Sequence, residues 1–226
     1  YIAVFFDNYS LSPGNRTRLI AGVRAMIKDT IRPGDQLSVV SWNRRFLSRT
    51  PFSADMAQLD AALDSISHEV GSSIDSERRQ AERQIDDIST QAAFAQSIGK
   101  TAPDTYSSGL SAARHYADTR TRDVKSSINA IGSYLSSMSG LDGKKVMILA
   151  GESLPLRPGA EIFQRLEVAR SRMTNSQAGA PNLESGQYDL SRDVTSLGQA
   201  ANTAGVTVYA VNPNGTTRSR SGTVED

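Results

Sequence analysis

The sequence predicts an α/β fold: a doubly wound, mostly parallel sheet interrupted by a long antiparallel helical hairpin. Three observations carry this expectation. Four short apolar runs, Ile2–Phe6, Leu37–Trp42, Val146–Ala150 and Val206–Val211, have the near-continuous hydrophobicity of buried parallel strands. Stretches of helical period separate them, so that strand, helix and strand follow at the spacing of a right-handed crossover. Between residues 55 and 139 the apolar spacing changes to sevens, which marks helices packed on one another.

Each element has its own reason. Ile2-Ala3-Val4-Phe5-Phe6 ends at Asp7, and the turn-rich NYSLSPG follows. Asn15 is placed to cap a helix in which Leu19, Ile20, Val23, Met26, Ile27 and Ile31 share one face, and Pro33-Gly34-Asp35 stops it. Leu37–Trp42 is the next strand, and Arg45–Arg49 is expected as a short edge strand closed by Pro51-Phe52. From Asp55, Met56, Leu59, Leu63, Ile66 and Val70 recur every three or four residues, and Ile74, Ala81, Ile88 and Ala95 continue after a phase shift. A second series runs Ala117, Val124, Ile131, Met138, interleaved with Thr121, Ile128 and Leu135. A break at Gly99–Thr105 predicts two long helices, Asp55–Gly99 and Thr105–Ser139, inserted into a single domain over 1–226. Val146–Ala150 follows a turn at Gly140–Gly143. Then come a loop at Pro155–Gly159, a helix over Ala160–Met173, and a polar loop from Thr174 to Gly186. A helix marked by Leu190, Val194, Leu197 and Ala201 leads to Val206–Val211, and the tail after Gly215 has no periodicity.

Composition narrows the function classes. A formal net charge of +1 over 226 residues points to neither nucleic acid nor membrane, and no apolar run approaches the roughly 20 residues of a membrane-spanning helix. With no cysteine there are no disulfides, thiolate ligands or thiol nucleophiles. The chain opens at Tyr1 within a strand-like run, with no Met and no signal peptide, which reads as a trimmed piece of a longer protein and leaves open whether a targeting segment once preceded it. No phosphate-binding glycine loop and no G-x-S-x-G elbow occurs; Ser153 reads as a turn residue because Leu154-Pro155 follows it. His68 and His115 are both placed on the hairpin, facing solvent. Arg16, Arg18, Arg24, Arg44 and Arg45, interspersed with acids, read as a solvated face.

Three stretches carry a resemblance: YIAVFFDNYSLSPGNRTRLIAGVRAMIKDTIRPGDQLSVVSWN, GLDGKKVMILAGESLPLRPGAEIF and YDLSRDVTSLGQAANTAGVTVYAVNPNG. In this order the chain resembles von Willebrand factor A domains, and more closely a bacterial subgroup described from acidobacterial proteins. The resemblance implies a binding site at the carboxyl ends of the strands, as the crevice rule for open α/β sheets also does. Three predicted strands end there in polar groups: Asp7, Glu152 and Asn212.

The resemblance further implies a metal-ion-dependent adhesion site, in which Mg²⁺ takes six oxygens and a partner's carboxylate completes the set. Asp7 matches the first residue of its Asp-x-Ser-x-Ser motif, but Tyr9 and Leu11 stand at the two Ser positions. Asn8 and Ser10 are the neighbouring oxygen donors, and Glu152 stands where an Asp is usual. No Gly-Thr loop aligns, Thr105 being the nearest candidate. The expected metal ligands are thus Asp7, Ser10 and Glu152, with Asn8. A competing reading of the same residues has Asp7 accepting from the amides around Ser10 and Leu11, and Glu152 paired with Arg157 or Lys144. The functional expectation is a non-enzymatic, adhesion-type module with a protein partner, no nucleic acid and no membrane insertion, exported by analogy with its relatives. The alternatives are a metal-dependent hydrolase-like enzyme using Asp7 and Glu152, or a scaffold without metal.

Overall fold

The computed structural model describes residues 1–69, 74–98, 105–152, 154–174 and 182–213. The chain divides into two compact units, each assembled from separated stretches: 1–72, 138–153 and 205–226 in the first, 73–137 and 154–204 in the second.

The first unit holds the sheet. Its elements are β1 (Ile2–Asp7), α1 (Pro13–Thr30), β2 (Leu37–Trp42), β3 (Phe46–Ser53) and α2 (Met56–Ser67), and later β4 (Lys145–Ala150) and β5 (Val206–Val211). Five strands lie in the order β3-β2-β1-β4-β5. β1 is parallel to β2 and to β4, β4 is parallel to β5, and only β3 is antiparallel. The four apolar runs therefore share one sheet. Side chains alternate across it. Val4, Phe6, Leu37, Val39, Ile148 and Ala150 pack with Leu19, Ile20, Val23 and Ile27 of α1 and Leu59, Leu63 and Ile66 of α2. Ala3, Phe5, Val40 and Met147, on the other face, are fully buried as well, which is why the strands read as unbroken apolar runs rather than alternating ones.

Helix boundaries follow local chemistry. Pro13 occupies the first turn of α1, where its missing N–H costs nothing. Gly34, at φ 98°, turns the chain after α1. Asp55 caps α2 by accepting from the amides of Ala57 and Gln58. The edge strand β3 runs past Pro51 to Ser53, longer than the expected Arg45–Arg49. Proline is tolerated there because an edge strand need not donate on its outer side.

The second unit is helical: α3 (Ile74–Ser97), α4 (Thr105–Ser137), α5 (Ala160–Thr174), α6 (Asn182–Gly186) and α7 (Ser191–Ala204). Ala81 and Ile85 of α3, Ala113, Tyr116 and Ala117 of α4, and Ile162, Phe163 and Leu166 of α5 form one core. Val124 and Ile128 of α4 meet Leu190, Val194 and Leu197 in another. The seam Ala117, Val124, Ile131, Met138 is buried throughout. On α3 the deepest positions are Ala81, Ile85 and Ala92, so the series of sevens through Ile74, Ile88 and Ala95 marks the flank of the buried stripe.

The inserted hairpin needs correction. The helix expected over Asp55–Gly99 is two helices. α2 ends at Ser67 and packs in the sheet core, while α3 belongs to the helical unit. That unit also includes α5, α6 and α7, which lie outside the predicted insertion 55–139. The polar stretch Thr174–Gly186 contains α6. The break at Gly99–Thr105, apart from Thr105 at the start of α4, lies outside the described residues, as do Ser153 and the tail after Gly215.

Candidate functional site

Strand order reverses between β1 and β4: the chain steps to one side through β2 and β3, and to the other through β5. At such a switch point the loops leaving adjacent strands diverge and open a crevice above their carboxyl ends. Asp7 closes β1 and Gly151-Glu152 follow β4, so both candidate carboxylates flank this point.

Ser10 joins the two sides. Its Oγ donates to the Asp7 carbonyl at 3.0 Å and accepts from the Glu152 amide at 3.3 Å. The Ser10 amide lies 3.4 Å from Asp7 Oδ1, a local turn that folds the loop back over the strand end. Asp7 itself is only 5% exposed. Gly151 lets the loops meet, since a Cβ there would stand 3.2 Å from Asp7 Cβ and 3.3 Å from Ser10 Oγ. Asn212, the third polar strand end, donates through Nδ2 to the Glu152 carbonyl at 2.7 Å. The three strand ends singled out in the sequence are thus brought together by hydrogen bonds.

Glu152 Oε1 has a specific task. It accepts from the amide of Ser12 at 2.7 Å and from Asn15 Nδ2 at 2.8 Å. Ser12 sits at the N-cap of α1 but makes no side-chain cap. Glu152 therefore supplies, from another strand's end, an acceptor for the open first turn, and its charge faces the positive end of the helix dipole. Within the helical unit, Arg157 lies 3.5 Å from Asp189.

A polar network lies beside the crest. Asn8, fully buried, donates through Nδ2 to the Glu69 carboxylate. Glu69 also pairs with Arg49 and accepts from Ser41 Oγ at 3.2 Å. Arg16 is 4% exposed, and its Nη1 donates to the Glu69 carbonyl at 2.5 Å. Burial holds both the Arg16 and the Arg49 guanidinium below the usual arginine range. This corrects the reading of a solvated face for Arg16; Arg18, Arg44 and Arg45 are exposed. Arg16 is internal, Arg24 bridges Asp60 and Asp64, and Arg44 lies over the Tyr9 ring and donates to its hydroxyl at 2.7 Å. Glu69 was not singled out in the sequence; one carboxylate just past a helix end carries no pattern. Its signal, visible only with the fold, is that Arg49 is a charge in the middle of a strand.

The histidines stay apart from this chemistry. His68 ends α2 in the sheet unit rather than on a hairpin, exposed, with Nδ1 2.8 Å from the Asp64 carbonyl. His115 is exposed on α4, and Thr105 opens that helix.

A divalent ion here would draw on Asp7, Asn8, Ser10 and Glu152, and this set fits Mg²⁺ poorly. Glu152 Oε1 already takes two N–H groups, and Ser10 Oγ is used in both directions. Asn8 turns its Nδ2 to Glu69 and leaves its buried Oδ1 without a hydrogen-bond partner, and Tyr9 and Leu11, at the motif's serine positions, are buried. Among the described residues no three Asp, Glu, His or Cys side chains gather at one place. No described helix is long and apolar enough to cross a membrane. No protein-family model matches this chain, and no curated protein is significantly similar to it in sequence.

Proposed function

We propose that this chain is a non-enzymatic protein-interaction module related to von Willebrand factor A domains, doubly wound, which receives its partner at the crest above β1 and β4. The observation that carries the reading is the junction of Asp7, Ser10 and Glu152 at the topological switch point. Burial on both faces of β1 supports the doubly wound assignment. The hydrogen bonds around Ser10 hold the two loops in one arrangement, so a partner meets a preorganised surface. In this reading the carboxylates shape the crest directly and Mg²⁺ is not the bridge. By the same resemblance the protein works outside the cytoplasm.

The test is affinity capture from the native host with the unaltered chain and with Asp7→Asn, in Mg²⁺ and in a chelator. The expected result is a protein retained by the unaltered chain in both buffers and lost with Asp7→Asn, at unchanged melting temperature. Equal retention by both chains would remove the crest as the binding surface. Retention only in Mg²⁺ would restore the adhesion-site mechanism.

A further inference from the structure

The polar cluster beside the crest does not balance. Arg16, Arg49 and Glu69 bring together two guanidiniums and one carboxylate, and that carboxylate is paired with Arg49. It also accepts from Asn8 Nδ2 and Ser41 Oγ. Arg16 reaches only the Glu69 carbonyl, through Nη1 at 2.5 Å. Among the described residues its Nε and Nη2 have no hydrogen-bond partner, although both are closed to solvent and the residue is 4% exposed. Burial alone holds this guanidinium below the usual arginine range, with no carboxylate beside it to act the other way. A buried cation with unmet donors is unfavourable, and folded proteins ordinarily pair such a group. The two unmet donors are not scattered. Nε–H and one N–H of Nη2 leave the same edge of the planar guanidinium, at the spacing of the two oxygens of a carboxylate. Arg16 also lies within the first turns of α1, where the helix dipole favours negative charge. Glu152 uses that pull at the Ser12 amide and at Asn15 Nδ2.

We infer that Arg16 is the receptor of an internal oxyanion site, whose ligand is a small free carboxylate held in the fork of Nε and Nη2. Two features select this ligand. The fork matches two oxygens of one planar group and not a single round halide. The closure of both donors selects a small free molecule over a side chain carried on the surface of a partner. Such a ligand enters when the surrounding loops part locally, a motion far smaller than unfolding. The site needs Arg16 and makes no use of Asp7, so it stands or falls apart from the partner proposed for the crest.

Sodium formate is the probe, set against sodium chloride at equal ionic strength and neutral pH, with the full chain. The Nε–H resonance of Arg16, assigned through its bonds to the α1 backbone, is expected to shift with formate until it saturates and to stay in place with chloride. The melting temperature is expected to rise with formate concentration above its value in chloride, as binding to the folded state requires. Arg16→Lys keeps the charge but loses the fork, and Arg16→Met loses both, so each is expected to abolish the rise. Arg24→Lys, on the same helix but bridged to Asp60 and Asp64, is expected to keep it. A hexaglutamate peptide at the same carboxylate concentration is expected to move neither the resonance nor the melting temperature. If the Arg16 variants do not fold, the resonance titration of the unaltered chain decides alone. An Nε–H indifferent to formate, or moved equally by chloride, would leave the fork to a buried water and overturn the inference. So would a rise that survives Arg16→Lys, which places the binding elsewhere. Hexaglutamate as effective as formate would overturn the free ligand and assign the fork to a partner's side chain.

Discussion

Glu152 Oε1 accepts two N–H groups at the entry of α1, and removing that acceptor leaves them to water. Glu152→Ala is expected to lower stability by about 1 kcal/mol, the usual worth of a helix cap, and Glu152→Gln by less, because an oxygen acceptor remains. Denaturant melts of the three chains check the order. Glu69 is a sterner case, because its side chain and that of Arg49 are 13% and 20% exposed. Glu69→Ala leaves the Arg49 guanidinium with Ser41 Oγ but without its counter-charge, strands the amide of Asn8, and is expected to cost ~3 kcal/mol, as breaking a buried pair does. Replacing both partners with apolar residues, Glu69→Leu with Arg49→Met, is expected to cost less than Glu69→Ala alone. At this scale the sequence was only partly legible. Asp7 and Glu152 could be picked out because each ends an apolar run. Arg16 could not, since its burial depends on Glu69, fifty-three positions away.

Among the elements, the join between α5 and its neighbours is the tightest. Gly159 has φ 82°, and a Cβ there would lie 2.7 Å from Ala117 Cβ and 2.9 Å from its Cα. The obstacle includes backbone, so it cannot swing aside. Gly159→Ala is expected to destabilise by roughly 2–3 kcal/mol through combined strain and overpacking, readable as a lowered melting temperature. The helical unit also carries an alkaline limit. Burial, followed by the charges of Glu161, Glu167 and Asp118, raises the tyrosine pKa at Tyr116, Tyr106 and Tyr188. A raised folded value means the neutral phenol is favoured in the fold. That stability is fully present below about pH 10, the ordinary tyrosine value, and is lost as pH rises above it. Circular dichroism from pH 8 upward is expected to show loss of helix beginning near there, with Tyr116→Phe shifting the loss to higher pH. Strands were the most legible elements, because four uninterrupted apolar runs have few other uses. The helix boundary near residue 70 was not legible. Leu59, Leu63 and Ile66 keep the spacing that leads on to Val70 and Ile74, and only packing assigns the first three to the sheet. Pro51 misled differently: β3 was legible as an edge strand, and an edge tolerates a proline within it.

For the whole molecule, the pairing pattern predicts a gradient of local stability. β1 is bonded on both sides and buried on both faces, whereas β5, among the described residues, is bonded on one side only. Native-state hydrogen exchange is expected to be slowest at β1 and fastest, among the strands, at the outward amides of β5; equal protection of the two would contradict this. The apolar runs alone did not give the order β3-β2-β1-β4-β5, because a run marks a strand but neither its place in the sheet nor its burial: β5, read as a buried strand, ends the order and is exposed beyond Val206. That order carries a consequence for biogenesis. Ile2 pairs with Leu37 on one side and with Val146 on the other. On a ribosome adding 5–20 residues per second, the first partner emerges within a few seconds and the second only after on the order of ten seconds. During that interval β1, β2 and β3 exist as a half-sheet whose innermost edge is bare. The nascent chain therefore completes α2, α3 and α4 before the edge of β1 that takes β4 can be paired.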